Sequence, residues 1–123
     1  MIYLSGAADV IATSRRPDVG YMLTPLKGNK PDLSGTLWAA DTGCFTQPER
    51  YVQSKYLAWL DARSEWANRC LFATAPDVVG DAVATMDKSL EVLPLIRELG
   101  FRASLVAQDG LEDLDIPWDS FDC

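Results

Sequence analysis

The sequence predicts an α/β protein built on a parallel sheet. From about residue 37 onward, short apolar segments bounded by turn residues alternate with longer segments whose apolar residues recur at helical spacing. Strand, helix and strand in this order are typical of βαβ units, whose strands are parallel. Polar residues also follow three successive apolar segments. Both observations predict one sheet whose strand ends open on a common crevice.

Six short segments are apolar, β-branched or aromatic, as buried strands are. They cover residues 2–4, 21–23, 37–40, 70–75 and 103–107, and a last one begins near Phe121.

The first predicted helix covers residues 48–69. Pro48 suits a first helical position because it lacks a backbone N–H that the helix could use. Val52, Tyr56 and Trp59 fall on one face of this helix, which we expect to be its buried face.

The second predicted helix covers residues 81–100. Asp81 can cap its start and Gly100 can end it. Pro94 lies inside the pattern and removes one backbone hydrogen bond, so we expect a kink there. The apolar stripe that we expect to be buried consists of Val83, Met86, Leu90, Leu93 and Ile96.

Length and composition predict a single domain over residues 1–123. With 48% apolar and 24% charged residues, the chain has the composition of an ordinary globular protein. No apolar run approaches the ~20 residues that cross a bilayer, and the first residues do not form a secretion signal. We therefore expect a cytoplasmic protein with no membrane partner. Its three cysteines are odd in number and widely spaced, which favours reduced thiols.

Charge and the lack of histidine exclude several classes of function. Without any histidine, the chain has neither a Ser-His-Asp triad nor the usual zinc ligand, so proton chemistry must use carboxylates. The net charge of -7 works against a broad nucleic-acid footprint on this chain alone. We predict no metal and no cofactor.

Asp41, Asp77 and Gln108 follow three successive predicted strands. Asp77 comes 36 residues after Asp41, and Gln108 comes 31 residues after Asp77. Because parallel strands end at the same edge of a sheet, we expect all three side chains on one side. Each aspartate taken alone has a simpler interpretation, as a turn residue or a helix cap. Phe45 also has two interpretations, as a core residue or as a platform for a flat ring.

Two carboxylates, an amide and an aromatic ring can form a pocket for a flat heterocycle. Guanine and its 7-deaza analogues present the N1 proton and an exocyclic amine as adjacent donors, beside the O6 acceptor. One carboxylate can accept from both donors while a carboxamide donates to O6. Asp77 and Gln108 have the right groups for these roles, and Phe45 can stack on the base. Asp41 is then left for proton transfer or for attack at the sugar carbon.

Several segments resemble the tRNA-guanine transglycosylase superfamily. The segment DTGCF resembles its D-S-G-G-F stretch, with threonine in place of serine and Cys44 in place of the second glycine. APDVVGDAVAT is similar to the segment with the base-recognising aspartate, and LVAQDG is similar to V-Q-G-G. The resemblance is closer to the phage and bacterial branch that exchanges guanine in DNA for 7-deazaguanine derivatives, through MLTPLKGNKPDLSG and CLFATAPDVVGDA. These matches run from about residue 21 to residue 122.

The resemblance implies a TIM-type (β/α)8 barrel that exchanges bases through a covalent sugar–enzyme intermediate. It implies that Asp41 is the general acid/base, that Phe45 stacks on the base, and that Gly43 belongs to the substrate site. It further implies that Asp77 and Gln108 bind the edge of the base. A complete barrel needs roughly 200 residues or more, so we expect the incomplete N-terminal half. The family's aspartate nucleophile lies on a later strand, and its zinc site has no counterpart here.

These observations lead us to expect a base-exchange domain that places a 7-deazaguanine derivative in DNA in place of guanine and is inactive without its missing C-terminal half. DNA is expected as the substrate more than tRNA. The missing half or a second copy is the expected protein partner, because open sheet edges and uncovered apolar faces favour association. Two alternatives stay open. One is a purine-binding module or split-enzyme subunit without chemistry of its own, and the other is a structural or regulatory subunit whose strand-end residues are only caps.

Overall fold

Five short parallel strands form one sheet in the computed structural model, which describes residues 1–6, 16–28 and 30–123. Every neighbouring pair of these strands is parallel. The prediction of an α/β fold with a parallel sheet is therefore confirmed. The strands are β1 (Tyr3–Ser5), β2 (Val19–Leu23), β3 (Trp38–Ala40), β4 (Cys70–Thr74) and β5 (Ala103–Ser104).

The strands lie in the sheet in the same order as in the chain. Helix α1 (Gln53–Asp61) connects β3 to β4, and α2 (Ala82–Glu98) connects β4 to β5. Both crossovers step in the same direction along the sheet. Because such connections are right-handed, the two helices lie on one face, where they contact each other. No helix in the described ranges is long and apolar enough to cross a bilayer.

The core lies between the two helices and the sheet, and Trp38 is at its centre. Trp38 is 0% exposed, and its indole Nε1 donates to the backbone oxygen of Trp66 at 3.1 Å. Its ring makes edge contacts with Trp59 and Phe101, at centroid distances of 6.3 and 5.8 Å. The largest buried ring thus has apolar neighbours and a partner for its one donor. Around it are Tyr21, Leu23, Ala40, Ala73 and Ala103 from the sheet and Tyr56, Leu60, Val92, Leu93 and Ile96 from the helices.

The opposite face of the sheet is covered less completely. In register, Leu4 lies beside Gly20 and Met22 lies beside Ala39. Since strand residues alternate between faces, these residues point away from the helices. Leu4 and Met22 are only partly buried. Within the described ranges, therefore, α1 and α2 leave apolar groups of this face in contact with solvent.

The first helix is shorter than predicted. Pro48–Arg50 form a 3-10 turn, the chain is extended at Tyr51 and Val52, and α1 begins only at Gln53. No side chain caps this start, and the β-branched Val52 favours extended backbone. The single helix over residues 48–69 was therefore a wrong prediction.

The predicted buried face of this region is right for Tyr56 and wrong for Val52. Tyr56 is 1% exposed and Trp59 is half-buried, whereas Val52 is exposed. Val52 precedes the helix, so the helical spacing that aligned it with Tyr56 does not apply to it.

The second helix has the predicted start and a different buried face. The Asp81 side chain accepts from the backbone N–H of Ala84 at 2.9 Å and so caps α2. Val83 and Leu90 were predicted to be buried and are exposed. Thr85 and Ser89 are buried in their place because their hydroxyl groups bind the chain that follows β4. The kink expected at Pro94, which lies inside α2, stays a prediction.

The last part of the sheet is shorter than predicted. β5 ends at Ser104 rather than at residue 107, and the segment near Phe121 is not a strand. This segment nevertheless lies along the outer side of β5, where the N–H of Asp122 donates to the oxygen of Ala103 at 2.8 Å. The Asp122 carboxylate accepts from the N–H of Ala103 at 2.8 Å and binds Arg97 at 2.8 Å. Backbone bonds therefore continue on the outer side of β5, where the N–H of Leu105 also donates to the oxygen of Cys123 at 2.9 Å, and the Asp122 side chain adds a further bond.

Leu90 and Leu93 were both predicted to lie on the buried face of α2, and only Leu93 does. Leu93 is 0% exposed, whereas Leu90 is 39% exposed. Replacing Leu93 by alanine should lower the free energy of unfolding by about 2–5 kcal/mol, because it leaves a cavity in the core. Leu90→Ala should cost less than about 1 kcal/mol, as surface substitutions usually do. Urea unfolding of both variants measures the difference, and equal losses would contradict this orientation of α2.

Candidate functional site

The segments that follow β3, β4 and β5 meet at the carboxyl edge of the sheet. The N–H of Asp41 donates to the oxygen of Leu23 at 2.8 Å and extends the pairing of β3 with β2 by one residue. The Gln108 side chain reaches the chain after β4, where its Nε2 donates to Asp77 Oδ2 at 2.7 Å. The structure therefore brings Asp77 and Gln108 into direct contact.

The carboxylate of Asp77 accepts one hydrogen bond on each oxygen. Gln108 donates to Oδ2, and the Cys44 thiol donates to Oδ1 at 2.8 Å. Burial raises the pKa of the Cys44 thiol, and the hydrogen bond to Asp77 raises that pKa further. The thiol therefore stays protonated near neutral pH and serves as a donor to the carboxylate.

The amide of Gln108 is held in one orientation. Its Oε1 accepts from the backbone N–H of Gly80 at 2.8 Å, so its Nε2 points to Asp77. One N–H of the amide is used on Asp77, and a carboxamide nitrogen carries two. The second N–H can donate to an acceptor beside Asp77.

Asp41 forms a turn at the end of β3. Its Oδ2 accepts from the N–H of Gly43 at 2.9 Å, and its Oδ1 accepts from the Thr74 hydroxyl at 3.4 Å. Thr74 in turn accepts from the N–H of Thr42 at 3.2 Å. The bond to Gly43 fits the interpretation of Asp41 as a turn residue. Asp41 is half-buried and is linked to Asp77 through Thr42 and Cys44.

Gly43 is required by the shape of this turn. Its φ is +76°, and a Cβ at this position would lie 2.5 Å from Thr24 Oγ1 and 2.9 Å from Leu26 Cδ1. Only glycine fits both the backbone and the space. Gly43 is buried, so it brings the segment after β2 close to the site.

Phe45 lies outside the core, since 70% of its surface is exposed. It lines an open pocket of about 420 Å³ together with Cys44, Asp77 and Lys88. Pro48, Val78 and Val79 complete the pocket wall. Of its two interpretations, Phe45 as a core residue is wrong, and its ring is free to contact a ligand beside Asp77.

Two residues that were not predicted as part of the site hold Asp77 in place. The Thr85 hydroxyl accepts from the N–H of Val78 at 2.8 Å and donates to the oxygen of Val78 at 3.1 Å. The Ser89 hydroxyl donates to the oxygen of Pro76 at 2.9 Å. Both neighbours of Asp77 are thus tied to α2. The signal in the sequence was a pair of hydroxyl residues four positions apart on a helix, pointing toward a loop.

Tyr56 lies close to Asp41, and the ring of Tyr51 lies beside that of Tyr56. Tyr56 donates to the oxygen of Thr74 at 2.9 Å, and its pKa is raised, first by burial and then by the Asp41 carboxylate. Burial also raises the pKa of Tyr51 to about 12. Both tyrosines line a second open pocket of about 400 Å³ with Leu26, Thr42, Arg50 and Lys55 among its other residues.

The chemical capacity of the site lies in its hydrogen-bonding groups and its aromatic ring. In the part of the chain that the structure describes, no three His, Cys, Asp or Glu side chains come close enough to hold a metal ion. Asp77 and Gln108 offer acceptors and a donor side by side, and Phe45 offers an aromatic face. Comparison with known proteins found no matching family model, no matching curated protein and no matching solved structure.

Thr85 provides a test of how the site is held. Thr85→Val keeps the shape of the side chain but removes the hydroxyl, so the N–H and oxygen of Val78 lose their partner. The free energy of unfolding should fall by about 1–3 kcal/mol, the cost of leaving a buried polar group unpaired. Hydrogen exchange of the Val78 amide should become faster.

Thr85→Ser is the matched control because it keeps the hydroxyl group. Its Val78 amide should exchange as slowly as in the unchanged protein. Equal exchange rates in Thr85→Val and Thr85→Ser would show that the hydroxyl does not hold this loop.

Proposed function

We propose that this chain is a transglycosylase-like base-exchange domain that binds guanine or a 7-deazaguanine derivative and places the derivative in DNA in place of guanine. Asp77 and Gln108 bind the edge of the base, Phe45 stacks on its face, and Gly43 shapes the turn beside it. Asp41 acts as the general acid/base. The attacking carboxylate comes from outside the residues described here, so the chain alone is expected to be inactive in exchange.

The observation that carries this proposal is the pair of donors on Asp77. Cys44 and Gln108 place one donor on each oxygen of a single carboxylate, at 2.8 and 2.7 Å. The N1 proton and the exocyclic amine of guanine form the same pattern of two adjacent donors. Both oxygens of this carboxylate are held in place, which lowers the cost of ordering the site when a base competes with Cys44 and Gln108 for them.

The surroundings of Asp77 support a flat and partly apolar ligand. The pocket of about 420 Å³ is within the range of small-molecule sites. Phe45 contributes an exposed ring and Val79 an exposed apolar side chain. Gln108, with one N–H left after its bond to Asp77, can donate to the O6 of a base.

Asp41 can take part in proton transfer because it lies at the end of β3 and is linked to the Asp77 site through Thr42 and Cys44. It is half-buried, which keeps one side of the carboxylate open.

We also propose that the sheet is the N-terminal half of a TIM-type barrel. Its five parallel strands follow the chain order, as the strands of such a barrel do. The apolar groups at Leu4 and Met22 on the face opposite the helices need a cover. Further βα units, from a C-terminal half or from a second copy of the chain, would supply it.

DNA is the proposed macromolecular substrate, with tRNA as the lesser option. The net charge of -7 opposes a wide phosphate footprint. The cations at the site are nevertheless placed near the proposed base pocket, since Lys88 lines it and Arg50 and Lys55 line the second open pocket.

A binding module without chemistry is the second candidate function. It is favoured by the geometry of Asp41, whose two oxygens are engaged within the turn and with Thr74. In this case the chain holds a free purine, or serves as a subunit of a split enzyme, and exchanges no base.

Purine binding tests the function at Asp77. We expect guanine and 7-cyano-7-deazaguanine to bind, and adenine, which lacks the two-donor edge, not to bind. Asp77→Asn should weaken guanine binding by about 10–100-fold, which corresponds to a hydrogen bond with a charged group. Isothermal titration calorimetry measures these affinities.

Asp87→Asn is the matched control, because Asp87 is an exposed carboxylate on α2. It should bind guanine as the unchanged protein does. Equal affinity for guanine and adenine, or an Asp77→Asn variant with unchanged affinity, would contradict the proposed base pocket.

Exchange itself is tested with DNA and labelled 7-cyano-7-deazaguanine, using the chain alone and with a supplied C-terminal half. Incorporation should occur only with the second half and should be lost in Asp41→Asn. This variant keeps the turn, since an asparagine oxygen can also accept from the N–H of Gly43. Binding without incorporation under both conditions would leave the binding module as the function.

A further inference from the structure

We infer that Cys44 is a specificity-determining residue of the Asp77 pocket, in which its thiol occupies one carboxylate oxygen until a two-donor base displaces it. This inference rests on the proposed function of Asp77 and goes beyond it. In this inference, Cys44 sets the ratio between the affinity for guanine and the affinity for a purine with a single donor on the same edge.

The thiol is held in position by groups on its own turn. Thr42 Oγ1 donates to Cys44 Sγ at 3.0 Å, and the N–H of Cys44 donates to Thr42 Oγ1 at 3.3 Å. Cys44 is 7% exposed. The thiol can therefore accept from Thr42 and donate to Asp77 at the same time.

Displacement of the thiol is easy because a second acceptor lies next to the first. The Cys44 Sγ is 3.7 Å from the backbone oxygen of Asp77, as well as 2.8 Å from its Oδ1. Rotation of the S–H bond moves the hydrogen bond from one oxygen to the other. Since a thiol is a weak donor, a base donor can replace it at Oδ1.

The number of donors on the base determines whether displacement is needed. Guanine donates to both oxygens of Asp77, so it competes with the Cys44 thiol for Oδ1 and with Gln108 for Oδ2. Hypoxanthine lacks the exocyclic amine and offers only N1–H on this edge. It can bind at Oδ2 while the thiol stays in place. Cys44 therefore competes with guanine and not with hypoxanthine.

The test compares the affinities of guanine and hypoxanthine for the whole chain and for Cys44→Ala. Removing the thiol should tighten guanine binding by about 3–10-fold, the range of one neutral hydrogen bond, and should leave hypoxanthine binding unchanged. The ratio of the two affinities should rise by the same factor. Cys70→Ala, which removes the other buried thiol, should leave both affinities unchanged.

A second measurement does not depend on ligand. Titration of the Cys44 thiolate by its ultraviolet absorbance, in a background of Cys70→Ala and Cys123→Ala, gives the pKa of this thiol. Asp77→Asn should lower this pKa, because it removes the carboxylate that raises it. An unchanged pKa would show that the thiol does not contact Asp77 in solution and would overturn the inference.

The outcomes separate the two proposals. If the unchanged protein binds guanine and Cys44→Ala has the same ratio of guanine to hypoxanthine affinity, the role of Cys44 is wrong and the base pocket stands. If neither protein binds guanine, the proposed function fails and the role of Cys44 fails with it.

Discussion

The candidate site depends on one constraint, which is that the Asp77 carboxylate must have a partner for each oxygen at the edge of the sheet. Its partners come from two other segments, Cys44 after β3 and Gln108 after β5. The backbone on both sides of Asp77 is tied to α2 by Thr85 and Ser89. Three strand ends and a helix thus meet at a single charged group, and this arrangement is what gives the pocket a defined shape.

The core makes this arrangement possible because it fixes the strands and α2 relative to one another. Trp38 occupies the centre of the helical face, and Leu93 and Ile96 attach α2 to it. The same helix presents the hydroxyl groups that hold the loop of Asp77. The position of Asp77 therefore depends on how α2 packs in the core. A shift of this helix would move Asp77 away from Gln108.

The sequence predicted the fold class well because alternation of apolar strands and amphipathic helices reports directly on a parallel sheet. Its errors arise where a local pattern competes with a tertiary contact. Val83 and Leu90 match the helical stripe, yet α2 buries Thr85 and Ser89, because a loop with unpaired backbone groups lies against that face. No periodicity of apolar residues can report the position of such a loop.

The residues of the candidate site were found by their position after predicted strands, and the structure brings Asp77 and Gln108 into contact. The contact of Cys44 with Asp77 could not be predicted, since it depends on the left-handed turn at Gly43 and on the path of the chain after β4. The turn at Asp41 was one of two interpretations open from the sequence, and the bond from the N–H of Gly43 shows that it is present.

We propose that Asp77 accepts the two donors on the edge of a guanine-type base. A crystal structure of the protein with 7-cyano-7-deazaguanine would show which atoms of the base contact Asp77. We expect N1 and the exocyclic amine within hydrogen-bond distance of the two Asp77 oxygens, with the Phe45 ring against the base face. A base bound elsewhere, or a bound base whose N1 and exocyclic amine contact neither oxygen of Asp77, would contradict this proposal.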